Sequence, residues 1–333
     1  MSPTAAYGAA ILGPEGLYIT DWERAYFREF RPFGFILFAR NIDTPDQLKR
    51  LCNDLRDAAD HDAPILIDQE GGRVQRMRAP HWREWLPPLH QMAKASDPIR
   101  AVWLRYRLIA SELRMVGIDA NCAPCGDIAG HETHAFLRNR CYGTDAVTVM
   151  DAARTVAQAH LAGGVLPVVK HIPGHGRASV DSHKDLPRVT APRADLEAAD
   201  FAPYKALGDM PMGMTAHIVF EDIDATNPAT TSRMMMDVIR HDIGFKGLLM
   251  TDDISMEALS GDVAQRSRAS IAAGCDVVLH CNGDAREIVQ VGQAVGTMTP
   301  AAQARAEAAL TWRKIPTPVD IAALSYELAT LLS

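Results

Sequence analysis

From one end to the other, the chain alternates short apolar or β-branched runs with longer stretches in which apolar residues recur at helical spacing. Eight runs read as strands: 6–12 (AYGAAIL), 34–38 (GFILF), 63–68 (APILID), 117–122 (GIDANC), 165–170 (VLPVVK), 212–217 (MGMTAH), 247–252 (GLLMTD) and 276–281 (DVVLHC). Between them, TPDQLKRLCNDLRDAA opens on Thr-Pro and places leucines at i, i+3 and i+7, while DAVTVMDAARTVAQAHLAGG ends on glycines, so both predict helices. Strands that are apolar almost throughout are expected where both faces are covered, as in a parallel sheet. Eight strand-helix units predict an α/β protein of the (β/α)8 barrel type, with a doubly wound open sheet as the alternative. No Ser/Gly linker, charge block or low-complexity tract interrupts the pattern. This predicts one domain over residues 1–333, with the barrel spanning about 6–295 and extra helices about 300–332.

A barrel collects its functional groups at the carboxyl ends of its strands. Polar residues follow the apolar runs accordingly: Asp68 closes the third, Lys170 and His171 the fifth, His217 the sixth, and Asp252 with Asp253 the seventh. Three segments concentrate the chemistry. LIDQEGGRVQRMR brings Asp68, Glu70, Arg73 and Arg76 together around Gly71 and Gly72, a carboxylate and guanidinium mixture that suits a polyhydroxylated ligand or, equally, a salt bridge bracing a loop. VVKHIPGHGRASVDSHKDLP holds Lys170, His171, His175, Asp181, His183 and Asp185. In it, Asp181 two residues before His183 can orient that imidazole and raise its basicity, as an acid/base histidine requires. The same segment lacks the spacings of nucleotide-binding loops and of helical zinc motifs, and any one of its histidines taken alone could be structural. GLLMTDDISM sets two adjacent carboxylates at a strand end, and since neighbouring side chains on an extended backbone point opposite ways, only one of Asp252 and Asp253 faces the barrel mouth. A strand-end carboxylate and a His/Asp pair are sufficient for retaining glycoside hydrolysis, in which one group attacks the anomeric carbon and another carries the proton, with no cofactor or metal.

Composition narrows the field further. Hydrophobic residues make up 47% of the 333 and charged residues 23%, as in ordinary soluble globular proteins. The net charge of −7, from 41 acidic and 34 basic residues, offers a polyanion no attraction, which argues against nucleic acid as a partner. Neither a signal peptide nor a membrane-spanning run is evident, so the expectation is a cytoplasmic protein without a membrane partner. The six cysteines, including the CxxC pair Cys122 and Cys125, sit in apolar segments and read as buried free thiols rather than a redox or zinc site.

The motifs DQEGGRVQR, KHIPGHGRASVDSHKDLP, MTAHIVFEDID and MTDDISM, co-linear over about residues 6–290, resemble those of glycoside hydrolase family 3 in its bacterial β-N-acetylglucosaminidase branch. The resemblance implies a single-barrel, metal-independent and cytoplasmic enzyme. Its substrate would be a small carbohydrate, a GlcNAc-containing muropeptide released during cell-wall recycling, and it would act as a monomer. By the same resemblance, Asp252 is the nucleophile, His183 the acid/base and Asp181 its dyad partner, while Asp68, Arg76, Arg140, Lys170 and His171 match sugar-binding positions. Ile172 departs from the aromatic residue common there, and CAPC replaces apolar positions, both of which read as packing changes. Two other readings remain at this point: a glycoside phosphorylase of the same family, and a sugar-binding barrel without activity.

Overall fold

The computed structural model describes residues 6–178, 180 and 185–333. Eight parallel strands close into a barrel in sequential order: β1 (Gly8–Leu12), β2 (Pro32–Leu37), β3 (Ile65–Ile67), β4 (Ala120–Asn121), β5 (Leu166–Ile172), β6 (Met212–Thr215), β7 (Leu248–Asp253) and β8 (Val277–His280), with β8 pairing back to β1. All eight expected strands are present, so the closed barrel replaces the open-sheet alternative. Two short pairs decorate the rim: an antiparallel ribbon of Gln69–Gly71 with Val74–Gln75, and a parallel pair of Arg188–Val189 with Val219–Phe220.

Alternation along each strand separates two cores. Ala9, Ile11, Phe33, Ile36, Leu66, Ala120, Leu166, Val168, Met212, Met214, Leu248, Met250, Val277 and Leu279 fill the barrel interior. Their chain neighbours Ala10, Leu12, Phe35, Leu37, Ile65, Ile67, Val169, Leu249 and Val278 pack outward against the ring of helices. Burial on both faces is why the strands read as continuous apolar runs; each fully buried Leu, Ile or Phe contributes roughly 1.5–3 kcal/mol of transfer free energy.

The helices begin where the sequence marks them. Thr44 accepts from the Gln47 N–H ahead of Pro45–Ala59, and Asp145 accepts from the Thr148 N–H ahead of Ala146–Ala162. Thr20 and Glu23 form a reciprocal capping box at Asp21–Phe30. Such caps satisfy backbone donors that the first helical turn leaves unpaired.

After β8 and its helix Ala285–Val295, two further helices follow, Pro300–Leu310 and Ile321–Leu331. Ala302, Ala306 and Ala309 share one face of Pro300–Leu310, and with Met298 they join the interior core. This helix therefore stops the amino-terminal end of the barrel. Buried Asp276, just ahead of β8, holds it there by pairing with Arg305 (Nη2 to Oδ1 2.6 Å) and with Arg240 (2.7 Å). Asp119, just ahead of β4, similarly pairs with Arg313 at 2.9 Å and Arg56 at 3.1 Å. Among the described residues, no helix is long and apolar enough to cross a membrane.

Candidate active site

At the opposite end, the carboxyl ends of the strands surround a cavity of ≈ 250 Å³. Asp68, Arg76, Arg140, Lys170, His171, Asp252 and Asp253 line it, together with Phe38, Met214, Met256, Leu279 and Cys281. Six of the eight residues singled out from the sequence are thus brought into one pocket. The other two, Asp181 and His183, lie outside the described residues.

One wall is a charge network. Lys170, buried on β5, donates from Nζ to Asp68 Oδ1 at 2.8 Å and lies 2.6 Å from Glu70 Oε1. Arg76 reaches the other Asp68 oxygen at 3.0 Å and lies over the Phe38 ring. Arg140 grips Glu70 with two parallel bonds, Nε to Oε2 at 2.9 Å and Nη2 to Oε1 at 2.8 Å. Three cations (Arg76, Lys170, Arg140) against two carboxylates (Asp68, Glu70) leave one positive charge on this wall. Burial opposes ionisation of Asp68, but Lys170 and Arg76 outweigh it and hold its carboxyl well below the usual range. Burial also opposes ionisation of Glu70, where Arg140 and Lys170 win and bring it to about 2. Lys170 is pushed the other way: its burial is overcome by Asp68 and Glu70, so it stays charged.

The turn that presents Asp68 and Arg76 depends on glycine. Gly71 (φ 113°) and Gly72 (φ 58°) lie in the left-handed half of backbone space, and a Cβ on Gly71 would strike Arg105. Arg105 and Tyr106, on helix Pro98–Met115, both donate to the Glu70 carbonyl and fasten this loop to the scaffold.

Asp252 and Asp253 both border the pocket but turn their carboxylates to different partners. Asp253 turns back into its own loop, accepting from Ser255 N (3.1 Å), Ser255 Oγ (2.7 Å) and Cys281 N (3.1 Å). Asp252 faces the pocket, and its Oδ1 accepts from the Asp253 N–H at 2.8 Å. Burial raises its pKa, but the neighbouring imidazoles of His171 and His217, the Asp253 N–H and Lys170 together bring it below the ordinary value, so Asp252 is an anion at neutral pH. His217 supports the floor from below, bonded to Thr230 Oγ1 at 2.7 Å and to the Asp253 carbonyl at 3.0 Å; burial lowers its pKa, partly offset by Asp252.

Two residues beyond those eight complete the site. Glu70 binds two of the pocket cations, Lys170 and Arg140; its place within DQEGGR marks its neighbourhood but not its role. Asp127, in the loop after β4, accepts from His171 Nδ1 at 2.7 Å. It occupies a strand end at which the polar pattern shows nothing, because one aspartate amid CAPCGDIAG carries no local signal. The CxxC cysteines do not act as a pair: Cys122 belongs to the barrel interior, while Cys125 bonds to Asp127 and neighbours Cys141.

A parallel barrel whose strand ends gather a half-buried, ionised carboxylate beside a set of charged hydrogen-bonding groups, suited to sugar hydroxyls, fits a glycoside hydrolase. The chain belongs to glycosyl hydrolase family 3, whose N-terminal domain matches residues 29–311. It is 36% identical over 283 residues to a β-hexosaminidase of Alkalilimnicola ehrlichii, covering 83% of this chain and 81% of that one. The structure of NagZ from Neisseria gonorrhoeae in complex with N-trifluoroacetyl-D-glucosamine superposes with a TM-score of 0.80 at 29% identity, covering 99% of both chains. A family 3 β-N-acetylglucosaminidase from Paenibacillus sp. gives a TM-score of 0.83 at 27% identity; 96% of this chain is covered, which spans 61% of that longer one.

Proposed function

We propose that the protein is a retaining exo-β-N-acetylglucosaminidase that removes terminal GlcNAc from peptidoglycan fragments, GlcNAc-anhydroMurNAc muropeptides, in the cytoplasm, acting as a monomer. The observation that carries this reading is Asp252: a half-buried carboxylate kept anionic, facing a pocket whose opposite wall carries surplus positive charge. An anion so placed is a nucleophile for an anomeric carbon, and the small cavity suits one terminal sugar rather than a threaded chain. The relatives named β-hexosaminidase support N-acetylhexosamine as the sugar.

In this scheme Asp68, Arg76, Lys170, Arg140 and His171 grip the hydroxyls of the terminal sugar, each of which both gives and accepts hydrogen bonds. With the sugar held, Asp252 attacks C1 as the glycosidic oxygen leaves with a proton from His183. A glycosyl ester on Asp252 results. Water, deprotonated by the same His183 with Asp181 behind it, then releases the sugar with its configuration retained. The roles of His183 and Asp181 rest on the resemblance of VDSHKDLP to the family motif.

The test is trapping with a 5-fluoro or 2-deoxy-2-fluoro glycosyl reagent, followed by peptide mapping. Mass added to the peptide carrying Asp252 supports the scheme, and a label on any other residue overturns it.

A further inference from the structure

We infer that Asp127 is a positioning residue that fixes the tautomer of His171, so that the pocket-facing imidazole nitrogen Nε2 is an acceptor. The inference rests on this pocket being the hydrolase site, but the geometry behind it lies one layer deeper.

The Asp127 side chain is entirely buried. Its Oδ2 takes hydrogen bonds from His171 Nδ1 (2.7 Å) and Cys125 Sγ (3.2 Å); its Oδ1 takes them from the His175 backbone N–H and the Tyr204 hydroxyl, both at 2.6 Å. Four donors saturate a carboxylate, which when ionised can only accept. Although burial opposes it, His171 foremost and the Tyr204 hydrogen bond hold Asp127 well below the usual carboxylate range. His171 must therefore carry a hydrogen on Nδ1. On the other side of the ring, Arg140 Nη2 lies 3.3 Å from Nε2. A guanidinium can only donate, so Nε2 offers its lone pair, and the hydrogen on one nitrogen has set the role of the other. The hydrogen bonds then diverge from Arg140, which donates to Glu70 on one side and to His171 Nε2 on the other, while His171 passes its Nδ1 hydrogen on to Asp127. A sugar hydroxyl at this wall meets an arginine donor beside an imidazole acceptor, which matches its dual character.

Replacing Asp127 by asparagine reverses the chain. The His175 N–H belongs to the backbone and cannot become an acceptor, so the single amide oxygen must stay on its side. The NH2 group then faces His171, where Nδ1–H would confront N–H. The imidazole proton is expelled to Nε2, which in turn confronts Arg140. Tyr204→Phe, by contrast, removes one donor and leaves a carboxylate that still dictates Nδ1–H.

The experiment is a long-range 1H–15N spectrum of the full chain with 15N-labelled histidine at neutral pH, the His171 signals being assigned by their loss in His171→Gln. The wild type is expected to show a protonated Nδ1 and an unprotonated Nε2; Asp127→Asn is expected to show the reverse, with kcat/KM on an aryl N-acetyl-β-glucosaminide down about 100-fold, as misplaced binding groups commonly cost, and most of the loss in KM. Tyr204→Phe should keep the wild-type tautomer and kcat/KM close to wild type. A wild-type ring protonated at Nε2 overturns the inference, as does a folded Asp127→Asn variant with wild-type kinetics. Should Asp127→Asn fail to fold, the wild-type and Tyr204→Phe spectra still decide. Since the tautomer is read without turnover, a failed trapping experiment at Asp252 would leave this result standing, and the converse also holds.

Discussion

Arg140 and Glu70 meet as a two-pronged pair, with Nε to Oε2 at 2.9 Å and Nη2 to Oε1 at 2.8 Å, both side chains almost wholly removed from water. Breaking such a pair from one side strands a buried charge, which commonly costs about 3–5 kcal/mol. Glu70→Gln should therefore lower the urea unfolding free energy by roughly that amount and also raise KM, because Lys170 loses its second anion. A variant as stable as wild type would mean that the network relaxes around the amide.

The adjacent aspartates should separate cleanly. Asp252→Asn is expected to lower kcat by at least about three orders of magnitude, as loss of a nucleophile does, without changing the circular dichroism spectrum. Asp253→Asn should keep measurable turnover and lose about 1–3 kcal/mol of stability, because its partners are Ser255 and the Cys281 N–H rather than a ligand. Equal loss of activity in both would contradict the division of labour drawn from strand alternation.

Stability should fall in two stages as the solution is acidified. Burial pushes His160 down to about 3 and His175 to about 4, from an ordinary value of 6.5. Below pH 6.5 the unfolded chain binds a proton at each histidine that the folded chain refuses, so stability rises with pH across this window and is lost on going down it, by up to about 1.4 kcal/mol per pH unit per group. The carboxylates act lower. Glu70, at about 2 when folded, stabilises fully above its unfolded value of 4.5 and loses that contribution as pH falls toward 2. Urea midpoints between pH 7 and 4.5 should show the first stage, and His160→Gln should flatten its slope; a flat wild-type profile would show that the imidazoles are not neutral inside.

The tether at the barrel base makes a further prediction. Asp276→Ala removes the partner shared by Arg240 and Arg305 and the acceptor for the Leu249 N–H at 2.8 Å. A loss of about 1–3 kcal/mol is expected from leaving the Leu249 N–H and two partly exposed guanidiniums without their acceptor, with KM unchanged because the site lies at the other end. A change in KM would mean that the two ends are coupled.

The strand count, the barrel and most of one pocket wall were legible in the chain because strand ends have a fixed chemical meaning in this architecture. Asp68, Lys170 and Asp252 each terminate an apolar run, and a charge following such a run has few places to go but the mouth. Arg140 could be found only by resemblance, since it belongs to the loop after the fourth strand and no pattern points from residue 140 to Glu70. Asp127 escaped for a related reason: its value lies entirely in four long-range donors, none predictable from its neighbours. Strand β5 also runs on to Ile172, past the expected end at 170, because Lys170 and His171 find partners within the wall and need not leave the sheet.

The barrel interior is filled by the side chains of its own strands and stopped at its base by the alanine-faced helix Pro300–Leu310, and that makes the site a dead end. A sugar admitted at the mouth has a single route in and out, so the aglycone half must clear the entrance before the bound monosaccharide can depart. Free monosaccharide would then compete with incoming substrate for one doorway, a traffic rule imposed by the packed interior behind the pocket.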